Sequence, residues 1–370
     1  MESIKRSKRF IEDIIDGMFD WVRVLDKDDN VIFMNSAMSD ALKEAKIGSK
    51  CYNTIGRSTP CENCISRKAV FYGQPHEKEE YINDKVYSVM SSPVKNESGE
   101  IIAVVEVLRD TTNVKQLQEK ILRQNAVLRD DLSMARRLQC SMLPKDLHED
   151  RIAFSYVYNS CEALGGDFLD IFKIDEDHLG LYVADVSGHG VPASMLTVFL
   201  RSTLSRKLLS PSEALSELFR EFNNSHLGDD LYITVFYAII NLKERSMVYS
   251  NAGHNASPVI FRSEDKNSFE LIRHPGIPIS RWVESPGYKD GFTLLKPGDR
   301  LFFYTDGIME MRNNANEQFG EDRLLKLLLA KDRGPVGTLN TIFSAACEFA
   351  GLSDTTKILD DVTMALLEVK

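Results

Sequence analysis

The fold is decided by four short stretches: Gly165-Gly-Asp-Phe-Leu-Asp170, Ala184-Asp-Val-Ser-Gly-His-Gly190, Tyr304-Thr-Asp-Gly307 and Asp360-Asp-Val-Thr363. Each stretch alone is an ordinary turn, because Asp and Gly satisfy turn geometry. Strongly apolar runs adjoin three of them, so their carboxylates are expected to converge at one edge of the sheets. Carboxylates that converge repel one another and need a cation between them. Because oxygen ligands without Cys or His select Mg²⁺ or Mn²⁺, the pattern predicts a divalent-metal centre.

The apolar runs around these stretches predict a layered domain. The predicted strands are Ile152–Tyr158, Leu179–Asp185, Tyr232–Ile240, Ser246–Asn251, Arg300–Tyr304 and Val362–Val369. The predicted helices are Pro192–Leu209, Pro211–Asn223, Glu321–Ala330 and Val336–Ala350. Strands interleaved with pairs of helices are typical of an α+β domain, with sheets inside and helices outside.

The order of motifs in this domain resembles that of the SpoIIE (stage II sporulation protein E) type of PPM phosphatases. The motifs are GGDFLD, ADVSGHGVPAS, NAGHN, LFFYTDGIMEMRN and DDVT. The preceding stretch, Ala135-Arg-Arg-Leu-Gln-Cys-Ser-Met-Leu-Pro144, is similar to the segment that precedes such domains. The resemblance implies a PPM-type α/β/β/α sandwich over residues 146–370. It also implies a metal-dependent serine/threonine protein phosphatase, which is a phosphoric monoester hydrolase.

By motif position, the resemblance implies a catalytic centre with two divalent cations, Mn²⁺ or Mg²⁺, bridged by Asp185. The other implied ligands are Asp167 and the backbone carbonyl of Val186 for one ion, and Asp306 and Asp360 for the other. Asp361 and Asp170 are second choices. A water activated between the ions would attack phosphorus in line, without a phosphoenzyme. The glycines that would let the backbone approach the ions, or would simply form turns, are Gly188, Gly190 and Gly307.

The chain departs from the broader PPM pattern in two places. Ser187 stands where a His is common, two residues after the bridging Asp, and His189 lies two residues further on. Glu162 stands where many members have an Arg that grips the substrate phosphate. The general acid is therefore unassigned, and His189 is left between a loop-supporting and a catalytic role. His254 is interpreted as structural.

The N-terminal part of the chain consists of short β-rich runs separated by turns. Two hairpins are predicted, Trp21–Leu25 with Val31–Asn35 and Val86–Val94 with Ile101–Arg109. A more helical stretch, Ser36–Phe71, lies between them. This order, with the sequences VRVLDKDDNVIFMN and SSPVKNESGEIIAVVEVLRDTT, resembles a PAS sensor domain. Its predicted bounds are residues 16–112, and an N-terminal helix is predicted over residues 1–15.

A long helix is predicted over Thr112–Ser141, which contains no Gly or Pro. Apolar residues recur there every three or four positions, at Val114, Leu117, Ile121, Leu128, Leu132, Ala135 and Leu138. The pattern favours a linker over residues 113–145 that forms a parallel coiled-coil homodimer; the alternative is a helix packed on its own domains. Asn125 interrupts the stripe and could set its register, and Pro144 ends the helix.

The most unusual feature of the sensor region is its cysteine cluster, Cys51, Cys61 and Cys64. These thiols could hold a metal or an iron-sulfur cluster with a fourth ligand, form a reversible disulfide, or brace a loop. No obvious fourth ligand lies nearby in the sequence. The ligand of the sensor domain therefore stays unknown.

Composition limits the partners of the protein. A net charge of -10 over 370 residues argues against nucleic acid, which is bound through clustered Lys and Arg. No apolar run approaches the ~18 residues that a membrane span needs. The basic N-terminus lacks the apolar core of a signal peptide, so a cytoplasmic location is expected.

The resemblance also implies a substrate, a phosphoserine or phosphothreonine on a STAS-type anti-anti-sigma factor in bacterial signalling, under control of the PAS domain. The alternative is a non-catalytic sensor or scaffold that binds a regulatory partner. A metal-dependent phosphodiesterase or nuclease is disfavoured by the acidic composition. A diguanylate cyclase is excluded, because Phe168 stands where the GGDEF signature of such cyclases has an acidic residue.

Overall fold

The computed structural model describes residues 10–148, 150–265, 268–329, 334–352 and 358–370. The chain divides into two compact units, Met1–Leu128 and Arg129–Lys370. Residues 10–16 are helical, and the rest of the predicted N-terminal helix lies outside the described residues. The predicted division into four segments, with boundaries after residues 15, 112 and 145, stays a prediction.

The N-terminal unit is built on a five-stranded antiparallel sheet with the strand order β2-β1-β5-β4-β3. Its strands are β1 (Trp21–Leu25), β2 (Val31–Met34), β3 (His76–Ile82), β4 (Lys85–Lys95) and β5 (Ile101–Asp110). Three short helices lie between β2 and β3, namely α1 (Ser36–Ala41), α2 (Cys51–Thr54) and α3 (Ile65–Tyr72). Both predicted hairpins are confirmed, and this element order is that of a PAS fold.

A buried ion pair connects the helices of this unit to its sheet. Arg23 Nε donates to the carboxylate of Glu106 at 2.7 Å, and its Nη1 donates to the Cys51 carbonyl at 2.7 Å. Burial acts to raise the pKa of Glu106, but attraction by Arg23 and hydrogen bonds from the Ser66 and Ser91 hydroxyls lower it overall. Glu106 is therefore ionised, and the pair fixes α2 against β1 and β5.

The predicted linker helix is confirmed as α4 (Thr112–Met142), which begins two residues after β5. Most of its apolar stripe is exposed. Exposed fractions of 54–60% are found for Val114, Leu117, Ile121, Leu128 and Leu138. Near the C-terminal end of the helix, in contrast, the polar side chain of Gln139 is only 3% exposed. None of the helices in the described residues combines the length and apolarity that crossing a bilayer requires.

The C-terminal unit contains two antiparallel sheets. The first sheet, in the order β14-β11-β10-β9-β8, consists of β8 (Phe168–Lys173), β9 (His178–Val186), β10 (Ile233–Asn241), β11 (Ser246–Ala252) and β14 (Gly291–Leu294). The second sheet, in the order β13-β12-β15-β16-β7-β6, consists of β6 (Leu147–His148), β7 (Ile152–Asn159), β12 (Val259–Phe261), β13 (Phe269–Leu271), β15 (Arg300–Tyr304) and β16 (Val362–Val369). Its helices are α5 (Gly190–Thr203), α6 (Pro211–Asn224), α7 (Gly307–Glu310), α8 (Gly320–Leu329) and α9 (Gly334–Phe349).

The two sheets pack face to face, and helices cover both outer faces. Phe236 of the first sheet meets Phe303 of the second in one apolar core, with ring centroids 6.1 Å apart. Residues of α5 and α6 cover the outer face of the first sheet. Residues of α8 and α9 cover the outer face of the second sheet. This arrangement is the α/β/β/α sandwich, so the predicted fold class is confirmed.

Helix α5 differs from the predicted Pro192–Leu209, because it begins at Gly190 and ends at Thr203. The chain turns after Leu204, and this turn brings the guanidinium of Arg206 onto the Asp170 carboxylate and over the Phe172 ring. The helix thus ends before Arg206, which forms a half-buried ion pair instead of continuing the predicted helix. Strands β6, β8, β12, β13 and β14 were not predicted. All of them except β8 are runs of two to four residues, which carry too little periodicity.

Candidate metal centre

The strand topology brings the predicted aspartates to one end of the sandwich. Asp167 directly precedes β8 and Asp185 lies at the end of the antiparallel strand β9, so both are at the same edge of the first sheet. In the second sheet, Asp306 follows β15 and Asp360 lies two residues before β16, which is antiparallel to β15. Thr305 Oγ1 donates to Asp167 Oδ2 at 2.6 Å and so joins the two sheets at this end.

The carboxylates at this end are close enough to perturb one another. Burial raises the pKa of Asp185 to about 7, and the negative charges of Asp306 and Asp360 contribute to the rise. Burial and the charge of Asp185 raise the pKa of Asp167 well above its usual range. Partial desolvation and the charge of Asp306 raise the pKa of Asp360, against a backbone hydrogen bond from Asp361 that lowers it. None of the ion pairs formed within the described ranges reaches these aspartates, so no cationic side chain of the described residues neutralises them.

The donor set fits hard divalent cations, which prefer carboxylate and carbonyl oxygens. The backbone carbonyl of Val186 faces the turn that precedes Asp167, since a Cβ on Gly166 would lie 3.1 Å from that oxygen. In the part of the chain that the structure describes, no three Asp, Glu, His or Cys side chains are yet close enough to surround one ion. Carboxylates without a counter-charge repel one another, so closer approach requires the cation itself.

The two adjacent aspartates before β16 have different surroundings. Asp361 is buried, and its carboxylate accepts hydrogen bonds from the backbone N–H groups of Cys161 at 2.8 Å, Gly166 at 2.5 Å and Asp167 at 3.3 Å. Asp361 therefore holds the turn that presents Asp167. Asp360 is exposed, and its charge interacts with that of Asp306. Of this pair, Asp360 is the carboxylate left available to a cation.

Comparison with known families agrees with this architecture. The model of the family described as Stage II sporulation protein E (SpoIIE) matches residues 175–370. The chain belongs to the SpoIIE family. The matched range of this SpoIIE domain includes Asp185, Asp306 and Asp360, whereas Asp167 precedes it. A model described as PAS fold matches residues 15–116.

Two relatives from Bacillus subtilis (strain 168) resemble part of the SpoIIE-family chain. "Phosphoserine phosphatase RsbP" is 28% identical over 186 residues, which are 49% of this chain and 45% of that protein. "Phosphoserine phosphatase RsbU" is 24% identical over 189 residues, which are 50% of this chain and 55% of that protein. The chain spans about half the length of these curated relatives.

Two solved structures share the fold. The SiaA-PP2C domain of Pseudomonas aeruginosa has a TM-score of 0.57 at 17% identity, covering 67% of this chain and 99% of that one. The phosphatase domain of SpoIIE from Bacillus subtilis, with a fragment of its regulatory domain, has a TM-score of 0.50 at 13% identity. That match covers 80% of this chain and 82% of the other. At these identities the likeness concerns the fold alone.

Asp170 lies outside the group of aspartates at the end of the sandwich. Its buried carboxylate is 3.6 Å from Arg201 Nε and is also hydrogen-bonded by the guanidinium of Arg206. Burial raises the pKa of Asp170, against the attraction of these two arginines. Asp170, the second-choice metal ligand, therefore contacts one arginine of α5 and one arginine of the turn after it.

His254 connects the two sheets of the SpoIIE domain beneath the aspartates. Its Nε2 lies 2.9 Å from the Tyr304 carbonyl, and its Nδ1 lies 3.4 Å from the hydroxyl of Thr234. That hydroxyl also donates to the backbone carbonyl of Asp185 at 3.0 Å. Burial lowers the pKa of His254, so the ring is neutral and Nε2 donates to the carbonyl. These contacts support the structural interpretation of His254.

His189 and Glu162, the two departures from the wider pattern, contact each other. His189 Nδ1 lies 2.9 Å from Glu162 Oε1, and the His189 side chain is 77% exposed. His189 is also the N-cap residue of α5. The structure therefore pairs these side chains across the loops at the start of α5, and it leaves the general acid unassigned.

Gln139 of helix α4 is a residue that the sequence did not single out, although it lies in the quoted stretch before the domain. Its Nε2 donates to the Gly165 carbonyl at 2.8 Å and to the Thr197 hydroxyl at 3.2 Å. The Gly165 N–H donates back to its Oε1 at 3.2 Å. The end of the linker helix is thus fastened to the backbone two residues before Asp167.

Gln139→Ala is expected to lower the free energy of unfolding by about 1–3 kcal/mol, because it leaves the buried Gly165 N–H and carbonyl without partners. Urea unfolding of the metal-free protein measures this change. Gln124→Ala, on an exposed part of the same helix, is the matched control and should change stability by less than about 0.5 kcal/mol. Equal effects of the two substitutions would show that the Gln139 contacts contribute nothing.

Two cavities adjoin the aspartates. One, of about 340 Å³, is lined by residues that include Asp185, Thr234, His254, Trp282 and Asp306. The other, of about 440 Å³, is lined by residues that include Glu310, Met311, Arg312, Leu359 and Asp360. Trp282 was not expected near the site, because nothing in its local pattern distinguishes it from a surface residue. Arg312 lies within the motif LFFYTDGIMEMRN, but its position there indicated no role.

Proposed function

We propose that this chain is a serine/threonine protein phosphatase that uses two divalent cations, Mn²⁺ or Mg²⁺. The observation that supports this most strongly is the group of carboxylates at one end of the sandwich, which have raised pKa values and no cationic partner among the described residues. Phosphatases of the PPM type use divalent metals. The relatives RsbP and RsbU, which are phosphoserine phosphatases by name, indicate the same chemistry.

In this proposal Asp185 would be a ligand of both ions. Asp167 and the Val186 carbonyl would hold one ion, and Asp306 and Asp360 would hold the other. Asp361 and Thr305 position Asp167 through their hydrogen bonds. When bound, the cations would supply an activated water and neutralise the phosphoryl oxygens. The cavity beside Asp185 and Asp306 would receive the phosphoryl group.

The proposed substrate is a phosphoserine or phosphothreonine on a STAS-type anti-anti-sigma factor in the cytoplasm. This part rests on the family resemblance and on the phosphoserine phosphatases among the relatives. Control by the PAS domain would act through α4, since Gln139 fastens its end beside Asp167. A change in register or rotation of α4 would then disturb the ligand turn. Full activity of the whole chain and of a fragment starting near Leu147, whatever the state of the sensor, would contradict this control.

The proposed homodimer forms through the exposed apolar stripe of α4. Ile121→Lys places a charge in this stripe, and we expect it to convert a dimer into a monomer at micromolar concentration. Ala126→Lys, on the opposite face of the helix, should leave the dimer intact. Sedimentation velocity measures both. A monomeric mass for the unaltered chain would refute the dimer.

The test of the function is phosphate release from a phosphoserine STAS protein and from a small aryl phosphate. Release should stop after metal removal by a chelator and return with Mn²⁺. Preference for the STAS protein would support the signalling role. Hydrolysis of a phosphodiester instead would indicate a phosphodiesterase. No release from any substrate, combined with tight STAS binding, would favour the scaffold.

A further inference from the structure

Three thiols of the PAS domain surround one small charged cavity that has no part in the proposed phosphatase chemistry. Its lining includes Cys51, Cys61, Cys64, Arg23, Lys78, Glu80 and Glu106. Its volume is about 20 Å³. A cavity of this size has room for about one water molecule and none for an organic ligand. Any reaction in this cavity therefore involves the side chains that line it.

The three thiols differ in reactivity. Cys51 is 6% exposed, and burial raises its pKa to about 12, so it stays protonated. Cys61 and Cys64 are both partly exposed. The Cys61 sulfur accepts a hydrogen bond from Arg57 Nη1 at 3.5 Å, and Lys78, which forms an ion pair with Glu80, lines the same cavity. The thiolate is the reactive form of cysteine, and its negative charge is attracted by cationic side chains.

Cys64 lies three residues after Cys61 and is the N-cap residue of α3. Its side chain makes no capping hydrogen bond, so the thiol is not committed to the helix terminus. A Cys-x-x-Cys pair beside a helix N-terminus is an arrangement typical of redox dithiols. The described lining holds no fourth ligand for a metal, because it contains no His and its two carboxylates, Glu80 and Glu106, form ion pairs with Arg or Lys.

We propose that Cys61 and Cys64 form a peroxide-sensitive dithiol, with Cys61 as the attacking thiol and Cys64 as the resolving thiol. The Cys61 thiolate attacks one oxygen of hydrogen peroxide, the O–O bond breaks, and the departing hydroxide leaves as water after taking a proton. Cys61 is now a sulfenic acid. The Cys64 sulfur loses its proton and attacks the Cys61 sulfur, and a second water leaves. Two thiols are oxidised to one disulfide, and one peroxide is reduced to two waters.

Mass spectrometry of the full chain tests this pairing. The reduced protein is treated with one equivalent of hydrogen peroxide, its remaining thiols are blocked with N-ethylmaleimide, and it is digested with trypsin. Cleavage after Arg57 and Arg67 isolates Cys61 and Cys64 on one peptide, while Cys51 lies on the peptide that ends at Arg57. We expect the peptide 58–67 to be unblocked and two hydrogens lighter, and dithiothreitol to restore both blocking sites.

Variants separate the two roles. Cys64→Ser should stop the reaction at a Cys61 sulfenic acid, which dimedone traps. Lys78→Gln should slow the oxidation of Cys61 by about tenfold, because it removes a cation beside the sulfur. Lys68→Gln is the matched control, since Lys68 bonds Asn63 in the same segment. The exposed Cys140 serves as an internal reference and should oxidise more slowly than Cys61.

Three results would overturn the proposal. The first is a disulfide that joins Cys51 to either partner, which appears as two cross-linked tryptic peptides. The second is equal oxidation rates for Cys61 and Cys140. The third is protection of all three thiols from N-ethylmaleimide by one equivalent of Zn²⁺ without oxidation, which would assign the cluster to a metal. These readouts are independent of phosphatase activity.

Discussion

Asp185→Asn is expected to lower kcat by about a thousandfold, equivalent to about 4 kcal/mol in the activation barrier. Asp185 is the central carboxylate of the group, since its pKa responds to Asp306 and Asp360 and its charge in turn raises the pKa of Asp167. An amide has nearly the same shape but no charge, and it bridges two cations poorly. Phosphate release at saturating Mn²⁺, from both the protein and the aryl substrate, measures the loss.

Stability provides the control for this variant. Because Asp185→Asn removes one of several repelling charges, the urea unfolding midpoint of the metal-free protein should stay equal or rise. Asp322→Asn, at an exposed position on α8, should keep full activity. Activity of Asp185→Asn within tenfold of the unaltered chain would place the metal centre elsewhere. A lowered unfolding midpoint would instead attribute the loss to misfolding.

Gly307→Ala is expected to lower both activity and stability, the activity by about a hundredfold and the unfolding free energy by about 3 kcal/mol. A Cβ at this position would lie 1.9 Å from the backbone carbonyl oxygen of Asp361, far inside contact distance. The backbone after Asp306 would have to move away from Asp360, which separates two proposed ligands of one ion. Isothermal titration with Mn²⁺ should show weaker binding alongside the kinetic loss.

Gly320→Ala is the matched control for the close approach at Gly307. Gly320 has φ of +76° and no atom within 4 Å of an added Cβ, so the substitution costs only backbone strain, about 1 kcal/mol. Its activity and metal affinity should be unchanged. If Gly307→Ala changed activity and stability no more than Gly320→Ala does, the space between the two strand ends would accommodate a Cβ. Gly307 would then be an ordinary turn residue.

The predicted glycines have two different structural roles, which the local sequence does not distinguish. Gly188 and Gly190 both have positive φ, and an added Cβ on Gly188 would meet nothing within 4 Å, so backbone conformation explains that residue. Gly307 is required by contact with a strand end more than fifty residues away in sequence. A turn glycine and a packing glycine look alike in sequence, and the alternatives left open there are distinguished only by three-dimensional contacts.

The sequence by itself determined the helices and strands that have a local hydrophobic pattern. The two N-terminal hairpins, helix α4 and the strands beside Asp185 and Asp306 follow from periodicity within a few residues, which reflects the burial of one face. The strands interleaved with pairs of helices indicated an α+β domain, and the family resemblance carried by the order of motifs implied the sandwich. The sequence also indicated that a cation would be needed at the place where these strand ends meet.

Only the tertiary structure decided which partners each aspartate has. Asp361 accepts a hydrogen bond from the Gly166 N–H, which lies 195 residues away in sequence, and Asp170 accepts one from Arg206, which lies 36 residues away. Gln139 of the linker helix likewise donates a hydrogen bond to Gly165, which lies 26 residues further along the chain. A carboxylate is free for a cation only when backbone N–H groups and arginines do not already satisfy it, and those partners are set by packing. Adjacent residues such as Asp360 and Asp361 therefore receive different roles that no local pattern distinguishes.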